Sequence, residues 1–217
     1  SSDEIPADWL EAFPSGAEII RKAIELRPAR ELAVDARILR RREGEYEVFR
    51  SVEEAVELPR IRSGFSTVDE FIARAQTVLQ RRKARSGRSL ELHLCEILQE
   101  EGFQEGRAFS HGPESDPGKR PDFLFPSEAA YKVTSFPGEE LRMLAAKTTC
   151  KDRWRQILTE ADRLPVKHLL TLEPSISVAQ TDEMIAQHVV LLIPLEIHAT
   201  FTAAQRRHIL TVRAFLD

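Results

Sequence analysis

Two short apolar stretches decide the fold of this chain: PDFLFP at residues 121–126 and LRMLAAK at residues 141–147. Short apolar runs of this length that end at a proline or a charged residue predict β-strands. If the two strands are neighbours, Asp122 at the start of the first and Lys147 at the end of the second lie side by side at one edge of a sheet.

Beyond these stretches the chain alternates between strand and helix patterns. Further strands are expected over 166–172 and 189–195, and helices over 150–161, 178–187 and 202–216. Strands interleaved with helices predict an α/β fold with a mixed, largely covered central sheet. The stretch 104–120 is rich in Gly, Pro, Ser and charge, and it predicts a surface loop.

The first 84 residues lack this alternation and predict a mostly helical lobe. Thr67 and Glu70 form a capping-box pattern at the start of one of its helices. Helices are expected over 17–26, over 30–56 unless Gly44 divides that segment, from Thr67 to about Arg82, and over 90–101. Residues 1–84 are therefore assigned to a lobe packed on a core of residues 85–217, in one compact unit.

Composition and charge exclude several classes of protein. With 42% hydrophobic and 30% charged residues over 217 positions, the chain can bury one core. Residues 1–16 lack the features of a secretory signal and no apolar run could span a bilayer, so we expect a soluble, cytoplasmic protein with no membrane contact. The net charge of -4 argues against indiscriminate nucleic-acid binding, whereas basic clusters at 37–42, 81–88 and 147–155 suit selective phosphate contact.

Asp122 and Lys147 are candidates for the hydrolysis of a phosphodiester. That reaction needs a divalent cation held by carboxylate oxygens, and a cation such as lysine near the attacking water and the phosphate. Both residues also have ordinary explanations, because Pro-Asp is common in turns and a lysine at a strand end is usually a solvated cap. The usual second acid, two residues before the lysine, is replaced by Ala145. The missing carboxylate has to come from elsewhere, or the site is inactive.

The segment KTTCKDRWRQ at 147–156, followed by Glu160, resembles the EcoRII, PspGI and SsoII group of PD-(D/E)xK restriction endonucleases. In that group the second acid lies on the helix after the lysine strand. On an α-helix Arg153, Gln156 and Glu160 have spacings of three and four and share one face. The resemblance spans roughly residues 30–160 and implies the mixed central sheet of that fold, flanked by helices.

Two shorter stretches carry the resemblance further, RSGRSLE at 85–91 and DFLFPS at 122–127 with Tyr131 after it. The implied catalytic set has Asp122 and Glu160 as Mg²⁺ ligands and Lys147 at the attacking water. Glu91 is implied to support the metal through water, and Tyr131 to lie close to the site. Glu91 could equally be a surface acid beside an arginine, and Tyr131 an ordinary half-buried tyrosine.

Base recognition is expected of the residues that follow Lys147. An arginine can bond the O6 and N7 acceptors of guanine, and a carboxylate accepts from the cytosine amino group. The resemblance implies that these residues read the outer C:G pairs. Trp154 lies between two arginines and is expected to be an apolar anchor that holds the helix on the core. The expected base contacts are Lys151, Asp152 and Arg153, with Arg155 and Gln156 as further contacts. The alternative is a salt-bridged amphipathic helix without a role in recognition.

A further expectation concerns Arg42 and Tyr46, which lie four residues apart. Related enzymes extrude the central base pair and stack the bases against an arginine and an aromatic ring at this spacing. A guanidinium and a phenol ring could hold an unstacked base between them. Tyr46 could equally cover the core, and the pairing fails if Gly44 breaks the helix.

The resemblance implies a homodimer on double-stranded DNA, since cutting both strands of a nearly palindromic site needs two active sites related by a twofold axis. The implied target is CCWGG, where W is A or T, cut before the first C to leave staggered ends with 5′-phosphates; CCNGG is the close competitor. Two other functions stay open at this point, a DNA-binding module that has lost cleavage and a structure-specific repair nuclease.

Overall fold

The computed structural model describes residues 5–217, except for the side chains of Ser86, Lys151 and Asp152. The chain forms two compact units. The first comprises the residues up to Glu31 together with Arg40–His93, and the second comprises Leu32–Leu39 together with Leu94–Asp217. The boundary expected near residue 84 therefore falls inside the first unit. Within the described range, no helix has an apolar stretch of membrane-spanning length.

A mixed sheet lies in the second unit and confirms the expected fold class. Its strands, in spatial order, are β1 (Ser110–His111), β2 (Phe123–Phe125), β3 (Arg142–Ala146), β4 (Lys167–Leu170), β5 (Val189–Leu192) and β6 (Ile209–Leu210). β1, β2 and β3 pair antiparallel, whereas β3 to β6 pair parallel. Because β2 and β3 are neighbours, the predicted side-by-side placement of their polar ends is confirmed.

Helices account for most of the remaining secondary structure. The α-helices of the described chain are α1 (Asp8–Glu11), α2 (Gly16–Leu26), α3 (Val34–Ser63), α4 (Val68–Glu100), α5 (Glu128–Lys132), α6 (Val178–Ala186), α7 (Ala203–Arg206) and α8 (Val212–Leu216). Short 3₁₀ helices cover Gly138–Glu140, Lys151–Thr159 and Leu195–Thr200. On one face of the sheet, Leu124, Met143 and Leu169 belong to a buried core that also contains Trp154.

Gly44 does not divide α3, which continues through it to Ser63. An isolated glycine in a helix interior costs only about 1 kcal/mol relative to alanine. Neighbouring contacts offset this cost, since Arg41 Nε donates to the carbonyl oxygen of Pro28 at 2.9 Å and Glu47 pairs with Arg27 at 2.7 Å.

The expectation of two helices between Thr67 and Glu101 is wrong, because α4 runs unbroken from Val68 to Glu100. The Thr67 cap is confirmed, since its hydroxyl accepts from the amide of Glu70 at 3.2 Å. The segment between the two expected helices contains arginines that are good helix formers. One of them, Arg85, pairs with Glu45 of α3 at 2.8 Å. This ion pair helps to keep the segment helical.

The single helix expected over 202–216 is also wrong. The chain forms α7, then β6, then α8, because Ile209 and Leu210 pair with β5 and extend the parallel sheet. Asp35, in the first turn of α3, is buried and accepts from three amides, those of Leu195 at 3.2 Å, Val212 at 2.9 Å and Arg213 at 3.1 Å. Its carboxylate therefore fixes the start of α8, and only the folded chain brings these residues together.

The buried histidine of β4 predicts a pH dependence of stability. Burial lowers the pKa of His168 from 6.5 to about 4, so the unfolded chain takes up its proton at a higher pH than the folded chain does. The free energy of unfolding is expected to fall as the pH drops from 6.5 to 4, by about 3 kcal/mol from this residue. Denaturant titrations across this range measure the loss, and His168→Gln should flatten it. An equally steep loss in the variant would contradict the assignment.

Candidate active site

Asp122 and Lys147 form an ion pair at the edge shared by β2 and β3. Asp122 directly precedes β2 and Lys147 directly follows β3, and the Nζ of Lys147 lies 2.8 Å from the Oδ2 of Asp122. The amide of Ala146 donates to the same oxygen at 2.7 Å. The side chains are 20% exposed for the lysine and 13% for the aspartate. The carboxylate is thus fixed from two sides while the pair stays within reach of solvent.

The position of the usual second acid is occupied by a buried alanine in this structure. Phe123 pairs with Leu144, so Asp122 lies opposite Ala145. Ala145 is fully buried among the apolar side chains beneath the sheet. A carboxylate at that position would be buried in an apolar core, which is costly. The second acid, if the site has one, has to reach it from another element.

Glu160 follows the 3₁₀ helix Lys151–Thr159 and is partly buried. The prediction that Arg153, Gln156 and Glu160 share one face of an α-helix is wrong. The helix is of the 3₁₀ type, with three residues per turn, and Glu160 lies beyond its end. The amide of Glu160 donates to the carbonyl of Ile157 at 3.1 Å, and its carbonyl accepts from the Nζ of Lys167. These contacts fix the backbone of Glu160. That its carboxylate is the second metal ligand stays a prediction.

Tyr131 on α5 is buried, and its hydroxyl has partners at hydrogen-bonding distance. It donates to the Oδ2 of Asp116 at 2.9 Å and accepts from the amide of Arg163 at 3.2 Å. Burial raises the pKa of Tyr131 to about 12. Its described hydrogen bonds do not reach Asp122 or Lys147. Glu91, the other auxiliary residue, lies partly buried on α4 in the first unit, and its role stays a prediction.

The expected recognition residues lie on the 3₁₀ helix. Arg153 and Gln156 are exposed, whereas Arg155 pairs with Glu183 at 2.7 Å and its guanidinium lies 4.7 Å from the ring of Trp154. Trp154 itself is buried in the core, which confirms it as the anchor. The predicted contacts of Lys151 and Asp152 concern side chains outside the described residues.

Arg42 and Tyr46 have different surroundings, although both lie on the unbroken helix α3. Arg42 is mostly buried and binds Glu45 and the hydroxyl of Ser89. Tyr46 is 49% exposed, and the guanidinium of Arg85 lies 5.5 Å from its ring. The structure thus leaves Tyr46 open to a stacking partner but engages Arg42 in a buried ion cluster.

Sequence reasoning missed the centre of that cluster, Glu45. Its carboxylate is buried and is bonded by Arg42, Ser89 and His93, with Arg85 at 2.8 Å. Burial alone would raise the pKa of Glu45, but the hydrogen bond from His93 and the charge of Arg42 outweigh it and lower the pKa to about 2. The spacing of three between Arg42 and Glu45 was the available signal, but that spacing is also common in exposed pairs.

Comparison with known proteins decides the family. The family described as EcoRII C terminal matches residues 49–216. The chain belongs to the EcoRII C-terminal family. A relative in this family, the type II restriction enzyme EcoRII of Escherichia coli, is 48% identical over 212 residues, which cover 98% of this chain and 52% of that protein. The chain therefore spans about half the length of this relative.

Solved structures of Ecl18kI share the fold of this EcoRII C-terminal family member. The metal-depleted complex of Ecl18kI with uncleaved, modified DNA has a TM-score of 0.75 at 17% identity and covers 96% of this chain and 78% of its own. A second metal-depleted complex, with uncleaved DNA, has a TM-score of 0.73 at 17% identity, covering 95% and 78%. The expected family resemblance and the restriction-endonuclease-like fold are both confirmed.

Proposed function

We propose that this chain is the catalytic part of a Mg²⁺-dependent type II restriction endonuclease that cuts double-stranded DNA at a CCWGG-like site. The observation that carries the proposal is the ion pair of Asp122 and Lys147 at the edge of β2 and β3. Identity of 48% to a type II restriction enzyme supports the same reaction class. Staggered cuts before the first C, with 5′-phosphates, are part of the proposal.

The residues at this edge suit a magnesium ion. Magnesium takes hard oxygen ligands and is usually bound by one or two carboxylates, with retained waters and a substrate phosphate. Asp122 supplies one such carboxylate beside a lysine, and we assign the second to Glu160. When bound, the ion supplies Lewis-acid polarisation of the phosphate and a more acidic water.

Lys147 contributes a fixed positive charge to the reaction. In-line attack of water forms a new P–O bond and breaks the bond from phosphorus to the 3′ oxygen, which takes up a proton as it leaves. The ammonium of Lys147, held at 2.8 Å from Asp122, is placed to stabilise the negative charge that develops on the phosphate. The reaction needs no covalent intermediate.

Base recognition is assigned to the 3₁₀ helix. The exposed guanidinium of Arg153 suits a bidentate contact to guanine, and Lys151 and Asp152 complete the proposed set. Gln156 is exposed as well. Arg155 would have to leave Glu183 to reach a base, which makes it the weaker candidate. Tyr46 is proposed to stack on an extruded central base, with Arg42 joining it only if the buried cluster opens.

A homodimer is supported by an apolar patch on α3 and α4, which we call the hairpin patch. Its six large side chains are 41% to 73% exposed: Leu58, Ile61, Val68, Phe71, Ile72 and Leu79. The two helices are joined by ion pairs of Glu57 with Arg74 at 2.6 Å and Arg81 at 2.9 Å. Two copies facing each other across a twofold axis would bury these side chains, as the core of a specific interface of roughly 1,200–2,000 Å² in total requires.

A second copy of the chain is the proposed occupant of the hairpin patch. Exposed basic residues, Arg60 and Arg62, and exposed acidic residues, Asp69 and Glu70, flank the same patch, so it can face its own copy with opposite charges paired.

Ile72→Glu should convert the dimer to a monomer, because it places charges at the centre of an apolar self-contact. Light scattering after gel filtration measures the mass, and Thr77→Glu, at an exposed position on the opposite face of the same helix with the same added charge, is the control. Both variants should unfold within about 0.5 kcal/mol of the parent, since both positions are exposed. A dimeric Ile72→Glu would assign the hairpin patch to another partner.

The proposed function is tested by digesting a fully sequenced plasmid with purified protein, in Mg²⁺ or in EDTA, and sequencing the fragment ends. Metal-dependent ends at CCWGG are expected. Ends at CCNGG would show that the protein accepts any central base, and the proposed site would change from CCWGG to CCNGG. Cuts that depend on DNA shape would favour a repair nuclease, and specific binding without cleavage would favour a DNA-binding module and remove Glu160 from the site.

A further inference from the structure

The turn that carries Glu160 has an unusual backbone. Ala161, the next residue, has a φ of 50°. This left-handed conformation is unfavourable for a residue with a side chain and is held only when surrounding contacts fix it. Ala161 is fully buried, so solvent does not relieve the strain. Strained backbone of this kind concentrates at functional sites.

Four side chains from three other parts of the second unit hold this turn. Lys167, the first residue of β4, is buried, and its Nζ donates to the carbonyl of Ala161 at 2.7 Å as well as to that of Glu160. The hydroxyl of Ser115 accepts from the amide of Ala161 at 3.3 Å. The backbone on both sides of the Ala161 α-carbon is thus fixed.

Two further side chains bind the backbone of the next two residues, Asp162 and Arg163. The Oδ2 of Asp116 accepts from the amide of Asp162 at 3.1 Å and from the hydroxyl of Tyr131 at 2.9 Å. That hydroxyl in turn accepts from the amide of Arg163 at 3.2 Å. Three consecutive amides, from Ala161 to Arg163, therefore bond to side chains of distant segments.

We propose that Lys167, Asp116 and Tyr131 are positioning residues that hold the backbone of Glu160 and thereby set its carboxylate for the metal. We call these three residues the brace. The inference rests on the proposed function, because it takes Glu160 as the second metal ligand. It also changes the role of Tyr131, whose hydroxyl is used by the turn and does not act on substrate.

Such a brace explains why an ammonium is buried to bind two main-chain carbonyls. Removing a lysine from water is costly, and burial lowers the pKa of Lys167. The contact gives the turn a single conformation at the residue where the chain leaves the 3₁₀ helix. Outer residues that orient a metal ligand typically change metal affinity by about 10- to 100-fold when they are replaced.

The test compares Tyr131→Phe and Asp116→Ala with the parent and with Thr159→Ala, an exposed neighbour outside the brace. Three quantities are measured: amide hydrogen exchange over 161–163, the affinity for Mn²⁺ by calorimetry, and the Mg²⁺ and pH dependence of cleavage. We expect faster exchange in both brace variants, Mn²⁺ affinity lower by about tenfold, and a matching rise in the Mg²⁺ needed for cleavage. The maximal rate in excess Mg²⁺ and its pH profile should match the parent.

Different failures are distinguishable. Faster exchange with parental Mn²⁺ affinity and parental Mg²⁺ dependence would reduce the brace to a structural role and overturn the inference. A lower maximal rate in excess Mg²⁺ with an altered pH profile in Tyr131→Phe would make Tyr131 a catalytic residue and would also overturn it. A parent that binds no Mn²⁺ and cuts no DNA would remove the proposed function and the inference together.

Discussion

Lys147→Ala is expected to lower the rate of DNA cleavage by about 10³-fold or more at saturating Mg²⁺, because it removes the positive charge proposed to stabilise the phosphate during attack. The ammonium also pairs with Asp122 at 2.8 Å, so the variant leaves that carboxylate without its neighbouring cation. Single-turnover digestion of a DNA duplex with one cleavage site measures the rate. Binding to the same duplex in Ca²⁺ should stay close to that of the parent.

The matched control is Lys132→Ala, which removes an exposed lysine from a surface pair with Glu128 on α5. This variant should cut at the parental rate and unfold within about 0.5 kcal/mol of the parent. Equal rates for Lys147→Ala and Lys132→Ala would reject the ion pair as the active site. A loss of both binding and cleavage in Lys147→Ala would instead point to a folding defect.

Glu45→Ala is expected to lower the free energy of unfolding by about 3–5 kcal/mol, the usual cost of removing one partner from a buried ion pair. The carboxylate is buried and neutralises Arg42 and Arg85, which would both stay in place without their counter-ion. Chemical denaturation at neutral pH measures the difference. The contribution of Glu45 to the free energy of unfolding should also decrease as the pH falls from 4.5 to about 2, because the pKa of Glu45 is about 2 in the folded chain.

Glu43→Ala is the control for this variant, two residues away on the same helix. Glu43 pairs with Arg40 on the surface, where both side chains are more than half exposed, so its loss should cost at most about 0.5 kcal/mol. Similar losses for Glu43→Ala and Glu45→Ala would show that the cluster is not the main source of stability in this part of α3.

The strands of the sheet could be predicted from sequence because their signals are local. Short apolar runs ended by proline or charge mark β2 and β3, and their adjacency follows from the topology. The wrong predictions concern segments whose secondary structure depends on contacts with residues distant in the sequence. Arg82 and Arg85 gain partners on α3 that keep α4 continuous, and Ile209 becomes a strand only because β5 offers an open edge.

The same distinction applies to the site. The pairing of Asp122 with Lys147 could be predicted, since it needs only two neighbouring strands. The contacts of Tyr131 could not, because Asp116 lies in a stretch whose composition indicates a surface loop, and Lys167 looks like an ordinary strand-end lysine. Hydrogen bonds that join three separate segments leave no periodic pattern in the sequence.

The hydrogen bonds of Asp35 constrain when the second unit can fold during protein synthesis. It bonds to the amides of Val212 and Arg213, and the second unit includes Leu32–Leu39 as well as the chain after His93. A nascent chain therefore cannot complete this unit until the segment near residue 213 has left the ribosome. That segment must then close a loop of well over a hundred residues, and contacts between such distant residues slow folding. The proposed nuclease activity needs the finished sheet, so it is expected only after this unit has folded.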